Sequence, residues 1–477
     1  MNGVTLGVDL ATAFARCVAL DTETGRVLAA ADAPLPQPVR SLRGSSTQRP
    51  AYAESARRLM TRVCVELGDQ ARAVTAVCIS GTSGTVVPCD ARGVPVGDAL
   101  LYDDTSGAQR LAHTGVRGRA MLGRVAVLAA TGRQGSASYA STADVVAAAL
   151  VGSRVAGDTS HWLKAGIDAS AATWPSEAVA ALGIAATSLP TLVHPGTLLG
   201  VVDPVVASAC GLPDGVVVVA GMTDGCTAQI ATGAVRAGDT VGVLGTTLVL
   251  KAVSGQPVGT ADGAVYSHLS PDGLWWAGGA SNVGAGVLAA EFPRADLDDF
   301  DRRAAERPST VVRYPLTRAG ERFPVTDPAM VSVRSGDPED ELDAYRAVLD
   351  GVAFTERLGL ERLISLGVTP RRHVLAGGAS KSSVWNRIRA TVLTPLLPVW
   401  VAPAAVSAVG AALLAAHAVT EAGTPLSQTT DRLVAPPEPV ETVAAQYEPL
   451  EAAYQHFVDL VADATPPNAP EGALHHA

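Results

Sequence analysis

The spacing of apolar residues changes from strand-like to helix-like and back within the first eighty residues. Apolar residues dominate 4–10 and 14–21 around a tight connection, and a polar turn precedes a third such run near 26–32. Residues 52–67 instead have the 3.6-residue period of a helix, and 74–79 is again strand-like. The pattern predicts three strands, a helix and a fourth strand.

The same order of elements returns in the second half of the chain. The run VGVLGTTLVLK after Thr240 predicts a β-hairpin, and a helical period extends over 339–366. Further strands are predicted near 264–268, 274–277, 373–376 and 398–401. Further helices are predicted near 383–393, 406–420 and 441–463. Strands that alternate with helices favour mixed sheets flanked by helices, and the repeated order indicates a duplicated α/β lobe.

The length of the chain also favours two lobes, because 477 residues exceed what one hydrophobic core usually organises. We predict an N-terminal lobe over residues 1–236 and a C-terminal lobe over 237–465. The last segment, 466–477, follows the final predicted helix and has the composition of a disordered tail.

Composition and charge narrow the class of partner. The formal net charge is −10, and the chain has no cluster of basic residues of the kind that binds nucleic acid or acidic membranes. No apolar run approaches the ~20 residues that a membrane span needs, and no basic segment opens the chain. The sequence therefore predicts a cytoplasmic protein with a small-molecule partner. No heptad pattern predicts an oligomeric state.

Three glycine-containing turns follow predicted strands, at Gly7–Thr12, Gly242–Thr247 and Ala376–Ser380. Small residues let backbone N–H groups approach a phosphate, and hydroxyl side chains add donors without bulk. Each turn could equally be an ordinary hairpin turn. Their matching places in the two predicted lobes favour phosphate binding. The chain contains no P-loop or G-x-G-x-x-G motif, so neither of those nucleotide sites is predicted.

Two aspartates stand at candidate catalytic positions. Asp9 ends a buried apolar strand, where a carboxylate needs a partner, either a divalent cation or the N–H groups of a turn. Asp224 follows the strand 216–220 and precedes a helix, which is the position of a capping residue. The helix N-terminus would also keep Asp224 ionised and able to accept a proton from a substrate hydroxyl group.

Four segments, in this order along the chain, resemble the motifs of the FGGY carbohydrate kinases. They are Gly7–Arg16 for the first phosphate hairpin, Gly221–Gly225 for the catalytic aspartate, Leu244–Thr247 for the second hairpin and Gly377–Trp385 for the adenosine segment. The resemblance covers nearly the whole chain. It implies two duplicated ribonuclease H-like lobes of the actin and hexokinase type, with the active site in the cleft between them. It also implies ATP and Mg²⁺ as cofactors.

The resemblance further implies roles for individual residues. Asp224 would be the general base, and Asp9 would orient Mg²⁺ or the group in transfer. The residues that would hold phosphates are Thr12, Gly245 and Thr246. The residues that would border the adenosine are Gly377, Gly378, Ser382 and Trp385. Ser83, together with Asp9 and Asp224, would contact the sugar.

Within the family, the chain looks most like the D-ribulose kinases of cyanobacteria and plants. The segments that carry this likeness are Ile79–Thr85, Leu101–Asp104, Trp162–Gly166, Gly278–Asn282 and Gly320–Pro324. Typical xylulose kinases have a Met-His-Gly-Gln-like segment where residues 81–85 stand here. This likeness implies phosphorylation of D-ribulose to D-ribulose 5-phosphate, with D-xylulose or another sugar or polyol as the alternative.

The chain departs from the family pattern at two turns. The first hairpin has Ala11 where glycine is usual and Ala13-Phe14 where small or hydroxylated residues are common, which puts the phosphate contact there in doubt. Ala379 replaces a frequent glycine, a change that matters only if the position needs a positive φ. These departures leave open an alternative function of another class, in which the protein is a catalytically inactive nucleotide-binding module that regulates a partner.

Overall fold

The structure is a computed structural model that describes residues 3–42, 44–112, 116, 120–131, 137–403, 405–420 and 423–465. The predicted tail 466–477 lies outside the described residues. Two compact units form. The first combines Met1–Gly233 with His268–Gly273 and Val406–Ala435, and the second combines Ala234–Ser267, Leu274–Ala405 and Pro436–Ala477. This division differs from two continuous lobes, since 268–273 and 406–435 pack with the first unit.

The first unit is built on a six-stranded mixed sheet. Its strands, in spatial order, are β3 (Val27–Pro34), β2 (Phe14–Asp21), β1 (Val4–Leu10), β6 (Val74–Gly81), β13 (Val217–Val219) and β12 (Leu198–Val201). The β1–β3 segment is an antiparallel meander, while β6 pairs in parallel with both β1 and β13. All seven residues of β1 are buried. A strand covered on both faces explains why its sequence is nearly continuously apolar.

Helices and short sheets complete the first unit. The helices are α1 (Tyr52–Leu67), α2 (Ser106–Ala112), α3 (Ala120–Ala130), α4 (Thr142–Val151), α5 (Ser176–Ala181), α6 (Pro204–Cys210), α7 (Asp224–Ala231), α12 (Ser407–Ala418) and α13 (Leu426–Leu433). The short strands are β4 (Val39–Arg40), β5 (Ser46–Gln48), β7 (Val87–Cys89), β8 (Ala99–Leu100), β9 (Ser138–Ala140), β10 (Gly157–Asp158) and β11 (Leu192–Val193). Helix α1 has the bounds that its apolar period predicts.

Helix α12 packs unusually close to β1 and α7 because the contact residues are small. A Cβ atom at Gly7 of β1 would lie 1.9 Å from the carbonyl oxygen of Ala408, and one at Gly410 would lie 1.7 Å from that of Thr227. Thr5 donates a hydrogen bond to the Ala412 carbonyl at 2.9 Å. A segment late in the chain therefore fixes the spacing between β1 and α7.

The second unit repeats the strand pattern of the first. Its sheet contains, in spatial order, β16 (Tyr266–Leu269), β17 (Trp275–Ser281), β15 (Leu248–Ser254), β14 (Asp239–Leu244), β20 (Arg372–Ala376), β21 (Val399–Val401) and β22 (Glu438–Pro439). Strands β14, β15 and β17 are antiparallel, β20 and β21 follow in parallel, and β22 returns antiparallel. Strands β14, β15, β17, β20, β21 and β22 thus correspond, in this order, to β1, β2, β3, β6, β13 and β12 of the first unit. The predicted duplication is present.

The remaining elements of the second unit surround this sheet. The helices are α8 (Gly286–Glu291), α9 (Leu297–Ala304), α10 (Glu341–Ser365), α11 (Ser383–Leu393) and α14 (Tyr447–Ala464). A separate ribbon pairs β18 (Val312–Tyr314) with β19 (Val333–Ser335). Helix α14 begins six residues after the predicted start at 441, because a 3-10 turn over Ala444–Gln446 precedes it. Within the described part of the chain, no helix is long and apolar enough to cross a membrane.

A buried ion cluster lies against β14. Glu356 of α10 accepts hydrogen bonds from Arg389 of α11 at 2.6 and 2.7 Å and bonds His373 of β20 at 3.0 Å. All three side chains are fully buried. A Cβ atom at Gly242 would lie 1.9 Å from the Glu356 carboxylate, so the cluster requires glycine there. The charge of Arg389 holds the pKa of Glu356 at about 2, against the opposing effect of burial.

Glu356→Gln is expected to lower the free energy of unfolding by roughly 3–5 kcal/mol, because Arg389 would remain buried without a counter-charge. Urea unfolding at pH 7 measures the change. The control is Glu339→Gln, which removes a carboxylate from an exposed pair with Arg307 and should leave stability nearly unchanged. Equal effects of the two substitutions would contradict the structural importance of the cluster.

Candidate functional site

Asp9 lies at the carboxyl end of β1, within the core of the first unit. In the parallel register it is opposite Ser80 of β6. Burial, followed by the charge of Asp224, raises the pKa of Asp9 to about 7, and Ser80, Arg16 and His161 partly oppose this rise. Asp9 Oδ1 is buried and has no hydrogen-bond partner among the described residues. Asp9 therefore has a pKa near neutrality, and its Oδ1 atom is an acceptor that no described residue uses.

Asp224 is the first residue of α7. The prediction that it caps the helix is wrong by one position, because Thr223 has the extended conformation of the capping residue (φ −61°, ψ 155°). The carboxylate of Asp224 accepts the N–H of Gly225 at 2.6 Å, and Ser407 of α12 donates to its carbonyl oxygen at 3.1 Å. A carboxylate in the first turn is stabilised by the helix dipole. This position suits a group that must stay ionised until it accepts a proton.

The turn after β6 carries Ser83. The N–H of Thr82 donates to the carbonyl of Leu10 at 3.2 Å, and Arg124 Nε donates to the carbonyl of Gly84 at 2.9 Å. Gly84 has a φ of 97°, which favours glycine. The Oγ atom of Ser83 is buried and has no partner among the described residues. The turn thus presents an unused hydroxyl group at the carboxyl ends of β1 and β6.

Thr12 lies in the half-buried connection between β1 and β2. Its carbonyl oxygen accepts a hydrogen bond from Gln48 Nε2 at 2.8 Å, and Gln48 in turn accepts one from the Tyr52 hydroxyl group at 2.7 Å. Neither Ala11 nor Ala13 has a positive φ, so the alanines of this turn are not strained. The connection is tied to α1 through its backbone, which leaves the role of the Thr12 hydroxyl group in phosphate binding a prediction.

A buried histidine next to these groups was missed from the sequence. His161 Nδ1 lies 2.6 Å from Asp158 Oδ2, and its backbone N–H donates to Asp158 Oδ1 at 2.7 Å. The neighbouring Ser160 accepts the N–H of Thr223 at 3.2 Å, one residue before Asp224. The available signal was an aspartate followed three residues later by a histidine. That spacing brings the two side chains together in one turn of chain.

The second unit holds the other predicted nucleotide residues. In the turn between β14 and β15, the carbonyl of Gly245 accepts the N–H of Ala285 at 2.9 Å, and that of Thr246 accepts the N–H of Gly286 at 3.1 Å. The side chain of Thr246 is exposed. A Cβ atom at Gly284 would lie 2.4 Å from the Thr246 carbonyl oxygen. The segment 284–286 therefore holds the hairpin turn in one position.

Gly377 brings the predicted adenosine segment against this hairpin. Its φ is 90°, and a Cβ atom there would lie 2.5 Å from the carbonyl oxygen of Leu244, so only glycine fits. Gly378 is exposed, with open space beside its Cα atom. Ala379 has no positive φ, so its replacement of glycine is tolerated as expected. Thus the structure places Gly245, Gly377 and Gly378 at adjoining strand ends.

Ser382 and Trp385 have internal partners in the same unit. Ser382 caps α11 by accepting the N–H of Trp385 at 3.0 Å, and it donates to Asp301 at 2.5 Å. The indole of Trp385 is 3 % exposed and donates to the carbonyl of Leu349 at 3.1 Å. These contacts give both residues a structural role. Their place beside the adenosine stays a prediction.

The fit of Mg²⁺ depends on oxygen ligands. No group of three or more His, Cys, Asp or Glu side chains in the described ranges is arranged to hold a metal ion. Mg²⁺ usually needs only one or two carboxylates, because it keeps waters and binds substrate phosphates. The vacant Oδ1 of Asp9 therefore fits an Mg²⁺ ion that arrives with a nucleotide.

The chain is similar to carbohydrate kinases in sequence and in fold. Residues 240–419 match the C-terminal domain of the FGGY family of carbohydrate kinases. A xylulose kinase of Streptomyces coelicolor is 26% identical over 419 residues, which cover 80% of this chain and 82% of that protein. A ribulokinase of Mycolicibacterium smegmatis is 29% identical over 254 residues, 47% of this chain and 44% of that protein.

A crystal structure of a xylulose kinase from Brucella ovis has a TM-score of 0.84 against this chain, with 24% identity and coverage of 96% of this chain and 99% of that one. This likeness concerns the fold alone. It confirms the predicted α/β class with two lobes of the actin and hexokinase type.

Proposed function

We propose that this chain is a sugar kinase of the FGGY family and that it transfers the γ-phosphoryl group of ATP to the terminal hydroxyl group of a ketopentose. The observation that carries the proposal is the pair of carboxyl groups in the first unit, Asp9 and Asp224, whose charges act on each other. Asp9 has a buried oxygen, Oδ1, without a hydrogen-bond partner among the described residues. Asp224 stands in the first turn of α7. Such a pair supplies separate groups for the donor phosphates and for the acceptor hydroxyl.

Asp224 would accept the proton of the sugar hydroxyl as its oxygen attacks the γ-phosphorus, and the bond from that phosphorus to the β-phosphate oxygen would break to leave ADP. Phosphoryl transfer depends mainly on positioning and charge stabilisation. Asp9 would hold Mg²⁺, which when bound neutralises charge on the phosphate oxygens. In the second unit, backbone N–H groups near Gly245, Thr246, Gly377 and Gly378 would bind the nucleotide.

The preferred substrate in this proposal is D-ribulose. Its support is Ser83, whose buried hydroxyl group lacks a partner among the described residues and stands in the segment that resembles the D-ribulose kinases. D-xylulose is the second candidate, favoured by the similarity to the xylulose kinase of Streptomyces coelicolor. The family match and these relatives indicate an enzyme, which argues against the inactive regulatory module suggested by Ala11, Ala13 and Phe14.

The test is ADP release from Mg-ATP with a panel of D-ribulose, D-xylulose, L-ribulose, pentitols and glycerol. We expect the highest kcat/KM with D-ribulose and a phosphate ester at its terminal carbon, identified by NMR. A higher kcat/KM with D-xylulose would assign the second candidate. ATP binding without ADP release on any member of the panel would contradict a ketopentose kinase.

A further inference from the structure

The side chain of His161 is fully buried, and its ring is fixed by one strong partner. Nδ1 lies 2.6 Å from Asp158 Oδ2, while the other oxygen of Asp158 accepts the backbone N–H of His161 at 2.7 Å. His161 Nε2 is buried as well and has no hydrogen-bond partner among the described residues. A ring held on one side by a carboxylate, with its second nitrogen vacant, is an uncommon arrangement because a buried polar atom is costly to leave unpaired.

Contacts of neighbouring residues connect the segment that carries this ring to the helix that begins with Asp224. Ser160 accepts the N–H of Thr223, which precedes Asp224, and Thr227 of the same helix bonds Ser80 at 2.8 Å. Ser80 is the partner of Asp9 across the parallel strands. The segment 158–161 is therefore fixed against the first turn of α7, and α7 is fixed against the strand beside Asp9.

The charged groups that act on His161 are all acidic. The charged groups that act on it or on its partner are Asp158 in its own segment, Asp144 of α4, Asp224 of α7 and Asp9 of β1. Burial lowers the pKa of His161, but Asp158, Asp144 and Asp224 together raise it above its ordinary value. Asp144 is also bound by the Trp162 indole at 2.8 Å and by the N–H of Ser141, so it has partners of its own.

We propose that His161 is a positioning residue for phosphoryl transfer: held by Asp158, its imidazolium ring is the fixed positive charge that keeps the Asp224 carboxylate ionised and oriented. The inference rests on the proposed function, in which Asp224 accepts the proton of the sugar hydroxyl group. His161 itself is too buried to touch a substrate. It acts through Asp224, as partners of a reacting group commonly do.

A double-mutant cycle tests whether His161 acts through Asp224. His161→Asn keeps a donor near the place of Nδ1 and removes the ring charge, and we expect it to lower kcat about tenfold to a hundredfold with little change in KM. In an Asp224→Asn background the same substitution should have no further effect on kcat. Equal losses in both backgrounds would overturn the proposal, because a merely structural role is independent of Asp224.

Two further variants secure the cycle. Asp158→Asn removes the anion that holds the ring, and it should reproduce the effect of His161→Asn on kcat, including the dependence of that effect on Asp224. It replaces His161→Asn in the cycle if His161→Asn folds poorly. His373→Asn is the matched control, since His373 is equally buried and bonds a carboxylate at 3.0 Å in the other unit. Its effect on kcat should be the same in both backgrounds. If the effect of His373→Asn on kcat also disappeared in the Asp224→Asn background, the cycle would not be specific for His161 and the proposal would lose its support.

A measurement without turnover separates this inference from the proposed function. Histidine-labelled protein has nine histidines, and the signal of His161 is identified by its loss in His161→Asn. NMR titration without nucleotide or metal should give a lower pKa for His161 in Asp224→Asn than in the wild-type protein. An unchanged titration would overturn the inference. Absence of sugar-dependent ADP release would contradict the proposed function alone.

Discussion

Asp224→Asn is expected to lower kcat by about a hundredfold to ten-thousandfold, the usual contribution of a general base. Asparagine has the shape of aspartate and keeps an oxygen for the N–H of Gly225, now accepted at 2.6 Å. It cannot take the proton of the attacking hydroxyl group. Steady-state ADP release at saturating ketopentose and Mg-ATP measures the loss, and the free energy of unfolding should change little.

The control for this prediction is another aspartate at a helix N-terminus of the same unit. Asp203 caps α6 by accepting the N–H groups of Val205 and Val206 at 2.9 and 3.3 Å. Asp203→Asn should leave kcat unchanged. If Asp224→Asn retained kcat within about threefold of wild type, the assignment of Asp224 as the base would be wrong.

Asp9→Asn is expected to make the metal-free protein more stable at pH 8 while it abolishes Mg²⁺-dependent turnover. The folded-state pKa of Asp9, about 7, lies above its ordinary value of 3.8, so the folded protein binds this proton more tightly than the unfolded chain does. The resulting stabilisation is complete below pH 3.8 and is lost as the pH rises to about 7. Asparagine does not ionise, and the substituted protein avoids this loss.

The measurement is urea unfolding of both proteins in EDTA at pH 5 and pH 8. The stability of Asp9→Asn relative to wild type should increase by about 3 kcal/mol between these pH values, since each tenfold change in proton affinity corresponds to ~1.4 kcal/mol. Addition of Mg-ATP at pH 8 should stabilise the wild type more than the variant. A pH-independent difference in stability would count against burial of the Asp9 charge.

The fold was largely readable because its strongest signals are local. The continuous apolar run of β1 and the regular spacing in α1 and α10 reflect burial of those elements, and their bounds agree closely with prediction. The sequence did not predict that α12 packs with the first unit. Its sequence is apolar and small on all sides, which indicates burial but does not say against which sheet it packs.

The site was predictable only where residue type and chain position coincide. Asp9 stands at the end of a buried strand and Asp224 at the start of a helix that follows a strand, and the structure places both in the first unit with interacting charges. His161 carried no such signal, because its importance comes from contacts with Asp158 and with the turn before α7. The buried indole of Trp385 shows the converse, since a motif residue can also be a packing residue.

The late position of α12 bears on how the protein is made. Chains begin to fold from the N-terminus during synthesis, but the residues that cover Gly7 of β1 and bond the carbonyl of Asp224 are Ala408 and Ser407. Until they leave the ribosome, the nascent first unit lacks the helix that sets the distance from β1 to α7. A chain interrupted before this point would expose an apolar strand face to chaperones. Residues 407–418 must thus be synthesised before the two carboxylates take their places.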